Sequence, residues 1–154
     1  MNTTIEIIEY RDELAQYFKD LNVAWLEKYF YVEPIDKEVF SDPKSYIIDN
    51  GGHIFFATVN GNVAGTFALI KQADGSFELS KMAVDEKYQG QKIGNHMLAF
   101  CLDKAKEFGT DKVILYSNTK LGPAIHLYKK FGFVEVPLDD VDYMRADIKM
   151  EKVL

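Results

Sequence analysis

The sequence predicts an α/β (α+β) fold in a single domain over residues 1–154, with a mixed, mostly antiparallel central sheet of six to seven strands flanked by about four helices. Three observations carry that expectation. The hydrophobic period switches along the chain between two residues and about 3.6, so strand-like and helix-like segments alternate. Asn60-Gly61 and Asp74-Gly75 separate β-rich runs, and such pairs are the strongest local hairpin signals, so three strands should form an antiparallel meander. The stretch MAVDEKYQGQKIG at residues 82–94 runs an apolar strand end through a glycine-bearing turn into a long amphipathic segment.

Residues 4–10 alternate Ile5 and Ile7 against Glu6, the pattern of a short first strand. Residues 12–30 place Leu14, Tyr17, Phe18, Leu21, Trp25, Leu26 and Tyr29 at helical spacing. A second short helix is expected to open with Asp42 as its N-cap and Pro43 in its first turn, and to close at Gly51 or Gly52. The meander follows as HIFFATV, NVAGTFALIK and SFELSKMAV. Ile93, Met97, Leu98, Cys101, Leu102, Ala105 and Phe108 then form the buried face of a helix that Gly109 ends. DKVILYS reads as a buried strand, and Pro123 opens a helix that runs to Phe131 and is capped by Gly132. The tail alternates as FVEV, an acidic loop, and a strand with Tyr143, Arg145, Asp147 and Lys149 on one face and Met144, Ala146, Ile148 and Met150 on the other.

Composition narrows the function. The net charge of −6, with no run of Lys or Arg, argues against nucleic acid as a partner. No apolar run is long enough to span a bilayer, and the start MNTTIEIIEY has neither a basic nor an apolar leader region, so the expectation is a soluble cytoplasmic protein without a membrane partner. Cys101, the single cysteine, falls on an apolar helical stripe and reads as a packing residue. His53, His96 and His126 are too scattered for a ligand cluster, so no metal is expected.

The junction at residues 82–94 is the strongest chemical signal. The first N–H groups of a helix have no intrahelical partner and the helix dipole adds positive charge there, so a turn carrying Gly90 and Gly94 can bring donors against a phosphate. The spacing is neither the P-loop pattern nor the dinucleotide fingerprint. Gln89, Gly90, Gln91, Lys92, Ile93 and Gly94 instead resemble the Q/R-x-x-G-x-G/A signature of the GNAT N-acetyltransferase superfamily. A second segment, SNTKLGPAIHLYKKFGF, resembles the family pattern N…A-x-x-x-Y-x-x-x-G-F through Asn118, Ala124, Tyr128, Gly132 and Phe133. The order β, α, α, β, β, β, α, β, α, β, β extends the resemblance over essentially the whole chain. One position departs from it: Lys92 stands where the family usually has its first motif glycine.

The resemblance implies acetyl-CoA as cosubstrate. Backbone amides of Gly90, Gln91, Lys92, Ile93, Gly94 and Asn95 would hold its pyrophosphate, and Gln89 would frame the turn. Met82, Ala83 and Val84 would serve the pantetheine and the thioester carbonyl through their main chain. Tyr128, on one helix face with Ala124, would protonate the departing thiolate, since a phenol of pKa near ~10 stays protonated at neutral pH. Asn118 would bond the cofactor or a nearby water, or simply turn the backbone. The acceptor must attack as a neutral amine, so a base is required. Glu78 has the same offset from Val84 as the base glutamate of the histone-acetyltransferase branch, with Glu33 or a water chain as alternatives. Tyr29 and Tyr31, with Trp25, Phe30 and Glu33, would wall the substrate pocket, although a buried stripe explains Trp25 and Tyr29 equally well. Asp139, Asp140 and Asp142 could draw an amine towards its mouth. The implied activity is transfer of acetyl to a primary amine, on a small molecule or on a peptide or protein. The alternative is a non-catalytic acyl-CoA-binding sensor or partner domain, which the Lys92 departure would favour. The terminal strand could also pair across a two-fold axis into a homodimer.

Overall fold

The computed structural model describes residues 3–138 and 145–154. The chain runs β1 (Ile5–Glu9), α1 (Ala15–Tyr29), α2 (Pro34–Ser41), β2 (His53–Val59), β3 (Asn62–Lys71), β4 (Phe77–Val84), α3 (Ile93–Glu107), β5 (Lys112–Ser117), α4 (Gly122–Lys130), β6 (Val134–Val136) and β7 (Ile148–Val153). One seven-stranded sheet takes the order β1-β2-β3-β4-β5-β7-β6. Each neighbouring pair is antiparallel except β4 with β5, which are parallel and joined by a crossover through α3.

Strand alternation divides the core between the two faces of the sheet. Phe55 and Ala57 of β2 pack with Phe67, Leu69 and Leu79 beneath Met97, Leu98 and Cys101 of α3. Ile54 and Phe56, of opposite parity, pack with Ala68 against Phe18 and Leu26 of α1 and Val39 and Phe40 of α2. Both faces are thus covered by helices, so β2 and β3 are buried almost end to end.

Two expectations are corrected. The second helix begins earlier than Asp42: α2 spans Pro34–Ser41 with Glu33 as its N-cap, and Asp42 and Pro43 instead lead into a short π-helical segment, Lys44–Ile48. The Asp42 carboxylate accepts from the Ser45 amide at 3.2 Å, so its capping role survives in that segment. The terminal strand starts only at Ile148, because Arg145 lies in a turn ahead of it. That strand is also not an edge. β5 pairs along one side of it and β6 along the other, so its alternation provides no open side for two-fold pairing at residues 149–151. Tyr143 and Met144, like the acidic loop residues Asp139, Asp140 and Asp142, lie outside the described residues.

The arrangement of β4 positions the site. Thr66 pairs with Ala83 and Ala68 with Ser80, so Phe67 faces two residues of β4, Lys81 and Met82. This is a β-bulge, and Lys81 takes the left-handed conformation there, with φ 54°. On the other side, β4 pairs with β5 only from Phe77 to Leu79. Beyond Leu79 the two strands part, and that edge of β4 has no strand partner among the described residues.

Candidate active site

A cavity of about 230 Å³ fills the gap between the parted strands. β4 lines it with Glu78, Ser80, Met82, Ala83 and Val84, and α1 with Asn22, Trp25, Leu26 and its successor Phe30. Tyr116, Ser117 and Asn118 at the end of β5, and Ala124, Leu127 and Tyr128 of α4, close the remaining wall. The motif residues of β4, Gln89, Asn118, Ala124 and Tyr128 therefore line one cavity.

Gln89 lines the cavity, and a ladder of main-chain donors follows it. The amides of Tyr88 and Gln89 are spent on Asp85 and Glu86 within a 3-10 turn. The first bond of α3 comes only at His96, which donates to Lys92 O. Among the described residues, none of the N–H groups of residues 90–95 has a backbone acceptor. This run of donors at the start of a fifteen-residue helix is suited to an anion. Gly90 holds φ +84°, and a Cβ there would meet nothing within 4 Å, so backbone conformation rather than space calls for glycine. Lys92 itself sits at φ 60°, in the left-handed region that a glycine adopts at lowest cost. The lysine preserves the turn that the motif glycine would make, and its departure gives the geometry no reason to favour a non-catalytic module.

Tyr128 packs its ring against Phe133, with centroids 6.0 Å apart, and faces the cavity. Burial pushes its phenol up to about 12, with a smaller contribution from neighbouring Cys101. A phenol so placed can donate a proton and stays neutral over the working range of pH. Cys101 is fully buried and its thiol is likewise raised to about 12, as befits a packing residue.

Asn118 is tied at both ends of its amide. Its nitrogen donates to Arg145 O at 2.7 Å, and its oxygen accepts from the Lys120 amide at 3.0 Å. It therefore braces the cavity wall. The aromatic stretch divides differently from expectation: Trp25 and Phe30 line the cavity, whereas Tyr29 and Tyr31 do not. α1 ends at Tyr29, whose carbonyl accepts from Lys120 Nζ at 2.8 Å, and the same ammonium sits 4.0 Å over the Phe30 ring. Tyr31 turns to a separate open hollow with Val23, Val32 and Phe40.

Glu33 does not reach the cavity wall either. It belongs to a buried charge cluster that the sequence did not announce. Arg145 Nη1 donates to Glu33 Oε2 at 2.5 Å and to Asp36 Oδ2 at 2.8 Å, while Nη2 reaches Asp36 Oδ1 at 3.1 Å. Lys81 Nζ completes the group at 2.9 Å from Asp36 Oδ1. Burial alone would raise the Asp36 carboxyl, but the hydrogen bonds and charges of Arg145 and Lys81 outweigh it and hold the group below the usual carboxylate range. Lys81 and Arg145 are among the lining residues of the cavity, and the Lys81 ammonium is turned to Asp36 and the Phe40 ring. Among the described residues, no group of His, Cys, Asp or Glu is arranged to hold a metal. Nor is any described helix long and apolar enough to cross a membrane.

The cavity between the parted parallel strands, with a neutral phenol on its wall and Gln89 leading from it into an amide ladder, is the candidate site for acyl transfer. The sequence pattern of the Acetyltransferase (GNAT) family matches residues 11–133, and the chain belongs to that family. It is an acetyltransferase that acts on amines. An uncharacterized N-acetyltransferase of Bacillus subtilis, YvbK, is 26% identical over 116 residues, which cover 73% of this chain and 75% of that protein. The crystal structure of a GNAT-family acetyltransferase from Staphylococcus aureus superposes with a TM-score of 0.86 at 22% identity, covering 97% of this chain and 99% of the other. The PaiA N-acetyltransferase of Thermoplasma acidophilum, solved in complex with coenzyme A, gives 0.78 at 21% identity, over 98% and 99% of the two chains.

Proposed function

We propose that the chain transfers acetyl from acetyl-CoA to a primary amine by direct attack in a ternary complex. The observation that carries this reading is a cavity lined by Tyr128 and by the part of β4 that has no β5 partner, with Gln89 on its wall leading into the amides of residues 90–95, which have no backbone acceptor among the described residues. The coenzyme A bound to the Thermoplasma relative, which shares the fold, supports acetyl-CoA as the donor. The amides of residues 90–95 take the pyrophosphate, and the main chain of Met82, Ala83 and Val84 serves the pantetheine and the thioester oxygen through the N–H groups that point away from β3. The amine nitrogen attacks the thioester carbon, the C–N bond forms and the C–S bond breaks. Tyr128 gives its proton to the departing sulfur.

Glu78 lines the cavity and is the proposed acceptor of the amine proton, directly or through a water chain. The commitment of Glu33 to Arg145 and to the start of α2 makes it the weaker choice. The net charge of −6 and the absence of basic runs support an acceptor other than nucleic acid, and a lone buried cysteine accords with the cytoplasm.

The test is coenzyme A release with a panel of amines. Tyr128→Phe should lower kcat by about 100-fold or more, the usual weight of a general acid, while acetyl-CoA binding by calorimetry stays as in the parent protein. An unchanged rate removes Tyr128 from the mechanism.

A further inference from the structure

Asn22 lies midway along α1, is 3% exposed and lines the cavity. Its amide nitrogen donates to Phe18 O at 2.9 Å, one helical turn back, and this bond fixes which end of the amide is which. Oδ1 is the other end, and no donor among the described residues meets it. Yet among those residues no side-chain nitrogen or oxygen is both sealed from solvent and partnerless. The little surface Asn22 retains therefore includes Oδ1, and the cavity it lines is where that oxygen opens. A carbonyl oxygen with so little surface left has its hydrogen bond completed only by a donor that reaches it there. Its neighbours on α1, Trp25, Leu26 and Phe30, present apolar surface to the same space.

We infer that Asn22 Oδ1 receives an N–H of the acceptor amine, and that the cavity selects an amine bearing one positive charge on an apolar group held against Trp25 and Phe30. The inference rests on the acetyl-transfer reading above and adds the acceptor class to it. An amide oxygen is too weak a base to take the amine's proton. It orients the nitrogen so that the lone pair points at the thioester, and it favours the positive charge that builds as the C–N bond forms. The limit on charge comes from that apolar surface. Trp25, Leu26 and Phe30 would leave a second ammonium on the acceptor desolvated against it.

The experiment compares the parent protein with Asn22→Leu and Asn22→Asp, using benzylamine and 1,4-diaminobutane as acceptors. It reads coenzyme A release and, separately, acetyl-CoA affinity by calorimetry. Loss of the oxygen in Asn22→Leu should lower kcat/KM for benzylamine about tenfold or more, the value of one buried hydrogen bond, with acetyl-CoA affinity held within a few-fold. Asn22→Asp keeps an oxygen in place and should retain most of the benzylamine rate. Benzylamine should be preferred over the diamine by the parent protein.

Unchanged benzylamine turnover in Asn22→Leu overturns the inference, as does an equal fall in acetyl-CoA affinity in a variant whose melting curve is intact, or a preference for the diamine. Should Asn22→Leu fail to fold, Asn22→Asp decides: loss of amine turnover with acetyl-CoA binding intact overturns the role of the oxygen. A parent protein that binds acetyl-CoA and acetylates no amine would instead bring down the acetyl-transfer reading, and this inference with it. Turnover that is indifferent to residue 22 would remove the inference alone.

Discussion

Two residues in the site sit in states that their neighbours impose, and each has a measurable consequence. Burial raises the Tyr128 phenol to about 12, so it remains neutral well above the point where an exposed tyrosine ionises, near ~10. In the pH–rate profile, kcat/KM should climb as the amine loses its proton, with no decline from Tyr128 below about pH 10. An alkaline limb below that pH which vanishes in Tyr128→Phe would contradict the assignment. The same shift acts on stability with a definite sign. The unfolded chain releases this proton first, so the folded state loses stability as pH rises from near ~10 towards the folded value. Lys92 is the second case. Its left-handed backbone was not legible in the sequence, where a lysine in place of glycine reads as a broken motif, because only the turn shows that the side chain points outward from an intact conformation. Lys92→Gly keeps that backbone and removes a cation beside the amide ladder. Acetyl-CoA affinity should fall a few-fold at low ionic strength, and the difference should shrink as salt is added. Titrations at two salt concentrations check it.

At the scale of elements, the informative case is α2. Glu33, Pro34 and Asp36 fit a helix start closely: an N-cap, a proline in the first turn, and an N3 side chain that accepts from the N-cap amide at 2.9 Å. The usual capping box pairs Ser or Thr with an acid, whereas two acids at these positions repel each other, and the sequence by itself favoured Asp42 and Pro43. The repulsion is relieved by Arg145, 109 residues beyond Asp36, and by Lys81 on the bulge of β4, and neither partner can be inferred from local spacing. α2 is in this sense a tertiary element. Removing one member of so buried a group leaves an unpaired charge, so Asp36→Ala should cost about 3–5 kcal/mol in urea unfolding. The folded Asp36 carboxyl is held below its ordinary range, so its contribution is present above the unfolded value and is lost as pH falls through the folded one. An Asp36→Ala variant as stable as the parent would show that the cluster contributes nothing net.

For the whole molecule, what was legible were features with a local cause. The hairpins at Asn60-Gly61 and Asp74-Gly75 appear where their turn residues place them, and α3 and α4 begin within a residue of expectation. The parting of β4 from β5 was not legible from residue pattern, because it follows from a parallel pair that stops at Leu79 while both strands continue. Nor was the insertion of β7 between β5 and β6, which depends on pairing across the sheet. The site inherits both kinds of origin: its motif residues are local, whereas the gap they surround belongs to the sheet. A ligand that fills the gap and engages the amides of residues 90–95 stabilises the folded state alone. Coenzyme A at a hundredfold its Kd should add about 2.7 kcal/mol. For a chain of 154 residues that amounts to about 5–11 °C in Tm. Gly90→Ala strains the backbone at φ +84° without a steric clash, so at the same coenzyme A concentration it should show a smaller rise. Melting curves with and without coenzyme A measure both effects, and an equal rise in the two proteins would mean that the turn at residues 90–95 does not hold the pyrophosphate.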